Sequence, residues 1–356
     1  MPKRRVHVLH GFYGADIPYS CTYIRLLCPL SHPALGADVE LTHGTAEAIP
    51  DCDLLVVERH TLWPYERQLD GFVRVLAKCR QRGVPVVYEL DDNLLDLRRD
   101  APWEPYPGDH LRSVVSFLLR QADGVIVSTP ALAERVGKVR AGALVVPNVL
   151  DERLFGSAPG PREPRDTVTI GYMGTLTHDA DLRMVLAPLR ALLRSHAGRV
   201  RLEIVGGGAG QGIASLFEGL PFRMRPPGHE DAYPKFVPWM RQHLRWDAAI
   251  APLEDDAFTR GKSDLKYLDY AALGIPGVFS DVGPYRETVR HGETGLLAAN
   301  DPAAWAAALE EIVGNGALRA NLAAAATAEV HGTRMLKTNA ARWKNAIETI
   351  RPGFFG

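Results

Sequence analysis

The sequence predicts an α/β chain built as two parallel-sheet domains. Three observations predict it. The chain has 356 residues, 46% of them hydrophobic, which is enough for two separate cores. Short apolar strands alternate with helical stretches through both halves. Between the halves, 151–166 is rich in Pro, Gly and charge and reads as a linker.

In the first half, VHVLHG is a buried strand that runs into a glycine turn. DCDLLVVERH, VPVVYELDD, ADGVIVST and ALVVPNV are further short strands, separated by helical stretches over 65–82 and 110–121. The second half repeats the pattern with TVTIGYMG, RLEIVGGG, WDAAIAPL and IPGVFS. Both halves therefore read as Rossmann-like, with a first domain over 1–160 and a second over 161–334. In open parallel sheets, ligands bind beyond the carboxyl ends of the strands.

Charge and cysteine content narrow the class. The net charge of −1 gives no footprint for nucleic acid. Cys21, Cys28, Cys52 and Cys79 do not have zinc-site spacing, which favours a reduced, cytoplasmic protein. The basic start is followed by a short strand and not by a signal-peptide core, and no apolar run has the length of a membrane span. Along 65–82, Arg67, Arg74, Lys78 and Arg82 form a stripe near Leu69, Phe72, Val73 and Leu76. That stripe could make a weak peripheral contact with anionic lipid. A solvated face is favoured, because 1–160 holds 18 Lys and Arg against 20 Asp and Glu.

The most informative stretch runs from Arg260 to Leu297 and reads loop, helix, strand, turn, helix. Ser263 or Asp264 is expected to cap the first helix. Leu265, Leu268, Ala272 and Leu273 recur at helical spacing, Gly274 ends the helix and Pro276 blocks its continuation. Arg260, Lys262 and Lys266 stand beside its N-terminus, where free N–H groups and positive side chains favour a phosphate. Lys262 and Lys266 are four apart, which predicts a shared helix face. Asp269, further along, could accept bonds from sugar hydroxyls.

This segment resembles the donor-binding region of GT-B glycosyltransferases, in particular the retaining family 4 (group 1). The shared positions are Asp269, Ala272, Gly274, Pro276, Asp281, Gly283, Glu287, Val289, Gly292, Gly295, Leu296 and Leu297. The resemblance implies two Rossmann-like domains whose parallel sheets face a central cleft, with a tail helix, 335–356, crossing back onto the first domain. It implies a glycosyltransferase, acting with retention and without a metal, in surface-polysaccharide or metabolite synthesis. The nucleotide sugar would be a co-substrate, and no cofactor is expected. The acceptor would be a glycan, a lipid-linked molecule or a small molecule. A sugar-nucleotide epimerase, a pseudo-glycosyltransferase and a non-catalytic nucleotide-sugar-binding relative are the alternatives.

Residue by residue, the resemblance gives Arg260, Ser263, Asp264, Leu265 and Asp269 to the nucleotide sugar. Gly174-Thr175 and Gly206-Gly207, at two strand ends, are expected to let the nucleotide approach the backbone. Gly14, in the loop after the first strand, could approach the donor phosphate. Lys262 and Lys266 are read as catalytic, because they can balance charge on the leaving phosphate. The family's Arg and Lys after the first glycine turn are absent here, and Gly261 stands in the register of its leading Glu. In the first domain, Asp91 stands where many members carry His and is read as catalytic. Asp16, Tyr23, His60 and Asp92 are read as acceptor-binding. Because strand side chains alternate, one of Asp91 and Asp92 is expected to face the site and the other to point away.

Overall fold

The computed structural model describes residues 3–13, 17–36, 38–59, 67–97, 108–160, 165–174, 179–206, 211–225 and 232–356. The chain divides into two compact units. The first comprises Met1–Asp151, Arg260–Ser263 and Met335–Gly356; the second comprises Glu152–Thr259 and Asp264–Arg334. The division falls at Asp151, not at 160, because Glu152–Phe155 is a short helix that packs against the helix Tyr233–His243 of the second unit.

The first unit holds six parallel strands: β1 (Arg4–Leu9), β2 (Val39–Gly44), β3 (Leu54–Glu58), β4 (Val86–Leu90), β5 (Gly124–Val127) and β6 (Leu144–Val145). Their order is β2-β1-β3-β4-β5-β6. Strands β3 to β5 are buried along their whole length, which explains their unbroken apolar runs. Helices α1 (Gln68–Arg82) and α2 (Gly108–Gln121) bury Phe72, Val75, Leu76, Leu111, Val115 and Leu118. The tail forms two helices, Leu336–Asn339 and Ala341–Ile350, and not one. Trp343 and Ile347 join Val6, Val8, Leu54 and Val87 in one core. A Cβ on Gly124 would lie 2.4 Å from Ile350, so glycine there lets the tail reach β5.

The second unit holds β7 (Val168–Gly174), β8 (Val200–Gly206), β9 (Phe222–Arg225), β10 (Ala248–Ala251), β11 (Gly277–Ser280) and β12 (Leu296–Ala298). All are parallel, in the order β9-β8-β7-β10-β11-β12. Two further helices matter here, α3 (Leu265–Ala272) and α4 (Gly316–Thr333). They are tied where the Thr327 hydroxyl donates to the Ala271 carbonyl at 2.8 Å. Strand order reverses between β1 and β3 in the first unit and between β7 and β10 in the second. Such reversals leave a crevice at the carboxyl ends of the flanking strands.

Candidate functional site

In the second unit, α3 is anchored over the reversal between β7 and β10. The Tyr270 hydroxyl accepts from the Met173 N–H of β7 at 3.3 Å and donates to the Ile250 carbonyl of β10 at 3.1 Å. The helix ends as its sequence predicts. Gly274 has φ of 67°, its N–H reaches the Ala271 carbonyl, and the Ile275 N–H reaches Tyr270, which is a Schellman closure. Its start differs from expectation. No side chain caps α3. The Asp264 carboxylate is instead taken by Arg334 at 2.9 Å and by the Thr288 hydroxyl at 3.2 Å. Ser263 Oγ accepts from Asn148 Nδ2 at 2.6 Å in the first unit.

Asp269 lies on α3 beside Tyr270 and is only 5% exposed. Its Oδ1 has no hydrogen-bond partner among the described residues. Burial pushes its carboxyl up to about 8, and the Lys266 charge opposes that only in part. Lys266 holds its ammonium 5.7 Å from the centroid of the buried Tyr172 ring. A buried acid with an unused oxygen next to a cation is costly to keep, and such groups concentrate at functional sites. Leu265 is half-buried.

The expected glycines prove to have a backbone reason. Gly174 and Gly206 are paired in register at the ends of β7 and β8. Gly206 has φ of 68°, and a Cβ there would lie 2.6 Å from the Gly174 carbonyl oxygen, so only glycine fits. Thr175 and Gly207 lie outside the described residues.

In the first unit, the carboxyl ends of β3 and β4 gather an ionic cluster. Arg59, just past β3, is the one non-glycine residue with positive φ among those described, at 48°. Its backbone is held at both ends: its N–H donates to the Glu89 carbonyl at 3.0 Å, and its carbonyl accepts from the Tyr88 hydroxyl at 2.7 Å. Its guanidinium places Nη2 3.1 Å from Asp92 Oδ2, Nε 3.5 Å from Asp91 Oδ1 and Nη1 3.5 Å from Cys21 Sγ. The neighbouring Glu58 is fully buried, accepting from the Cys21 thiol at 3.0 Å and the Thr22 hydroxyl at 3.1 Å. Burial, with the Asp91 charge added, pushes its carboxyl up to about 7. Beneath lies a buried pair, Arg25 Nε with Glu89 Oε1 at 2.7 Å, in which burial raises Glu89 to about 8 despite Arg25. Arg25 is carried by a π-helical stretch, Tyr23–Leu27, and also donates to the Val146 carbonyl and to Asn148.

Two expectations are corrected here. Strand β4 ends at Leu90, so strand alternation does not govern Asp91 and Asp92, and both carboxylates meet Arg59. Lys262 precedes α3, so it does not share a helix face with Lys266. Lys262 Nζ is 3.3 Å from Asp92 Oδ1 instead. The rest of its loop is seated on the first unit as well. The Thr129 hydroxyl donates to the Gly261 carbonyl at 3.0 Å, and a Cβ on Gly261 would lie 2.9 Å from that of Asn93. Arg260 is exposed in a short 3-10 turn, Thr259–Gly261. Tyr23 packs against the first core. Gly14, Asp16 and His60 lie outside the described residues. Sequence reasoning missed Glu58 and Glu89, and it offered Arg25 as a residue facing the acceptor, whereas Arg25 is buried against Glu89. The available signal was an acid at or next to the end of each of two buried apolar strands, VVE and YEL.

Cys21, Glu58 and Asp91 bring a thiol and two carboxylates within 4.8 Å of one another. That spacing would suit a cation, and the Arg59 guanidinium already contacts the Cys21 and Asp91 members. On α1, Arg74 pairs with Glu47 and Arg82 with Asp51, which neutralises much of the expected basic stripe. Phe72 and Leu76 are core residues, leaving Leu69 and Val73 exposed. Among the described residues, no helix is long and apolar enough to cross a membrane.

Residues 167–315 match the family described as "Glycosyl transferases group 1", so this part of the chain is a group 1 glycosyltransferase domain. Two similar curated proteins are D-inositol 3-phosphate glycosyltransferases. That of Thermobispora bispora is 29% identical over 276 residues, covering 69% of this chain and 60% of its own length. That of a Nocardioides species is 32% identical over 284 residues, covering 72% and 60%. The chain thus spans about 60% of the length of these relatives. Among solved structures, Anabaena HepE in complex with UDP-glucose superposes with a TM-score of 0.67 at 14% identity, over 97% of this chain and all of that one. A sucrose-phosphate synthase from Thermosynechococcus elongatus gives 0.66 at 14% identity, over 98% and 99%. The fold is that of the GT-B transferases, two Rossmann-like units with six parallel strands each.

Proposed function

We propose that this protein is a glycosyltransferase that moves a sugar from a nucleotide-sugar donor to an acceptor hydroxyl, with retention and without a catalytic metal ion. The observation that carries the reading is Asp269, a buried carboxyl with an unused oxygen, one turn from Lys266 and at a strand-order reversal. A ribose hydroxyl would donate to Asp269, and Lys266 would balance the diphosphate. The family match over 167–315 supports the same reading. In the transfer, the bond from the anomeric carbon to the phosphate oxygen breaks as the acceptor oxygen bonds that carbon. The leaving phosphate takes the acceptor proton on the same face, so no strong general base is needed. Asp91 would orient the acceptor hydroxyl or stabilise positive charge on the reacting sugar. The acceptor is a glycan, a lipid-linked molecule or a small molecule.

The test is a thermal-shift screen over UDP-, GDP-, dTDP- and ADP-sugars, followed by NMR of the product. A stabilising donor that Asp269→Ala no longer recognises, and a product with the donor's anomeric configuration, are expected. No stabilisation by any nucleotide sugar would overturn the proposal.

A further inference from the structure

The first unit holds a group that the proposed chemistry does not yet use, Arg59. Three observations single it out. It has a left-handed backbone, a conformation that a bulky non-glycine residue adopts at a cost and that persists where the surroundings enforce it. Those surroundings are visible: the Tyr88 hydroxyl and the Glu89 carbonyl clamp its two peptide groups. The enforced geometry turns its side chain onto two adjacent carboxylates that no longer belong to a strand.

We infer that Arg59 is a positioning residue, which fixes the directions of the Asp91 and Asp92 carboxylates so that Asp91 can receive an acceptor hydroxyl. This rests on the glycosyltransferase reading above. The division of labour between the two acids follows from the contacts. Asp92 is held by Arg59 at 3.1 Å and by Lys262 at 3.3 Å. Asp91 meets Arg59 at the longer 3.5 Å, and its Oδ1 makes no hydrogen bond among the described residues. Asp92 therefore anchors the guanidinium, and Asp91 Oδ1 faces Arg59 Nε beyond hydrogen-bond distance, which leaves that carboxylate the less committed of the two. The remaining charged neighbours fit a fixed frame. Glu58 is engaged by Cys21 and Thr22, and Glu89 by Arg25, so neither competes for the Arg59 fork at hydrogen-bond distance. A lysine could not replace Arg59, because one ammonium cannot span both carboxylates in fixed directions.

The test uses the full chain with Arg59→Lys, Arg59→Ala, Asp91→Asn and the double variant Arg59→Ala/Asp91→Asn. Arg59→Ala should lower transfer turnover about a hundredfold, the scale of a misplaced reacting group. Arg59→Lys should recover little of it. The dissociation constant for the nucleotide sugar should stay within about twofold, since the Arg59 contacts lie in the first unit. The double variant should be no slower than the slower single variant, because both act on one carboxylate. Added guanidinium at non-denaturing concentration should raise the turnover of Arg59→Ala and leave that of the double variant unchanged. Losses that multiply, or full turnover in Arg59→Ala, would overturn the inference. Crystal structures of wild type and Arg59→Ala give a readout independent of activity. Asp91 and Asp92 should rotate in the variant, and unmoved carboxylates would overturn the inference even if the glycosyltransferase reading itself had failed.

Discussion

Lys262 and Asp92 form an ion pair, Nζ to Oδ1 at 3.3 Å, and the same carboxylate meets Arg59 on its other oxygen. The sequence placed these residues in different roles, the lysine toward a donor phosphate and the acid toward an acceptor. The pair gives Lys262 a residence on the first unit, and any phosphate that recruits it must compete with Asp92.

Asp92→Asn should therefore lower unfolding stability by about 1 kcal/mol, a modest cost because both partners are about one-fifth exposed and screened. Urea unfolding measures it. Lys262→Ala should depress turnover more than nucleoside-diphosphate affinity, since charge that develops at the transition state gains most from it. Steady-state kinetics and calorimetry separate the two, and unchanged kinetics would remove Lys262 from the chemistry.

Asp269 should make stability depend on pH. Its folded carboxyl titrates at about 8 and an ordinary aspartate near 3.8, so the folded state favours the proton. The stability linked to this group is full below about 4 and is lost as pH rises through 8. Asp269→Asn should thus unfold at a higher temperature than wild type at pH 8.5, with the difference shrinking toward pH 4. Asp269→Ala should bind donor more weakly, by about 1–3 kcal/mol, the cost of a lost polar partner, and Asp269→Asn should lose less, since its amide oxygen still accepts. A pH-independent difference would show that Asp269 is ionised throughout.

His7 should act in the opposite sense. Burial first, then neighbouring His43 and His10, lowers it to about 4 from the usual 6.5. A depressed histidine contributes stability above 6.5 that is lost as pH falls through 4. His10 and His43 are lowered as well, both chiefly by burial. Thermal unfolding between pH 7 and 4 should fall less steeply for His7→Gln than for wild type.

Gly261→Ala tests the seat of the loop. Its Cβ would meet Asn93 at 2.9 Å, closer than side chains tolerate. Overpacking of this kind costs about 1–3 kcal/mol. A glutamate at this position, with the same Cβ, should be tolerated no better. Wild-type stability in Gly261→Ala would show that the loop has another way to sit.

The sequence made the buried strands legible, because LLVVE, VVYEL and VTIGYMG are nearly unbroken apolar runs. It hid two of the edge strands. Val39–Gly44 and Phe222–Arg225 carry Glu40, Thr42, Arg223 and Arg225 on faces that only pairing on one side makes intelligible. The end of α3 was readable, since Gly274 and Pro276 act locally. Its start was not. Asp264 is a good cap in isolation, but Arg334, far along the chain, takes the carboxylate. Arg59 stood out in the sequence as a residue following a strand, but its partners, from β4 and the turn after it, did not. Motif spacing located the donor-like segment and could not reveal that Lys262 and Ser263 would be bound by Asp92 and Asn148.

The tail helices have a consequence for how the chain folds. Trp343, Ile347 and Ile350 fill the core and cover the strands of a unit whose sheet was completed by residue 145. During synthesis that sheet waits, with part of its apolar surface uncovered, while the whole second unit is made. At about 5–20 residues per second the wait is on the order of ten to forty seconds. The second unit, made without interruption apart from the Arg260–Ser263 excursion, can close first. A fragment ending near residue 151 should then expose hydrophobic surface and aggregate, and adding residues 335–356 as a separate peptide should restore its solubility.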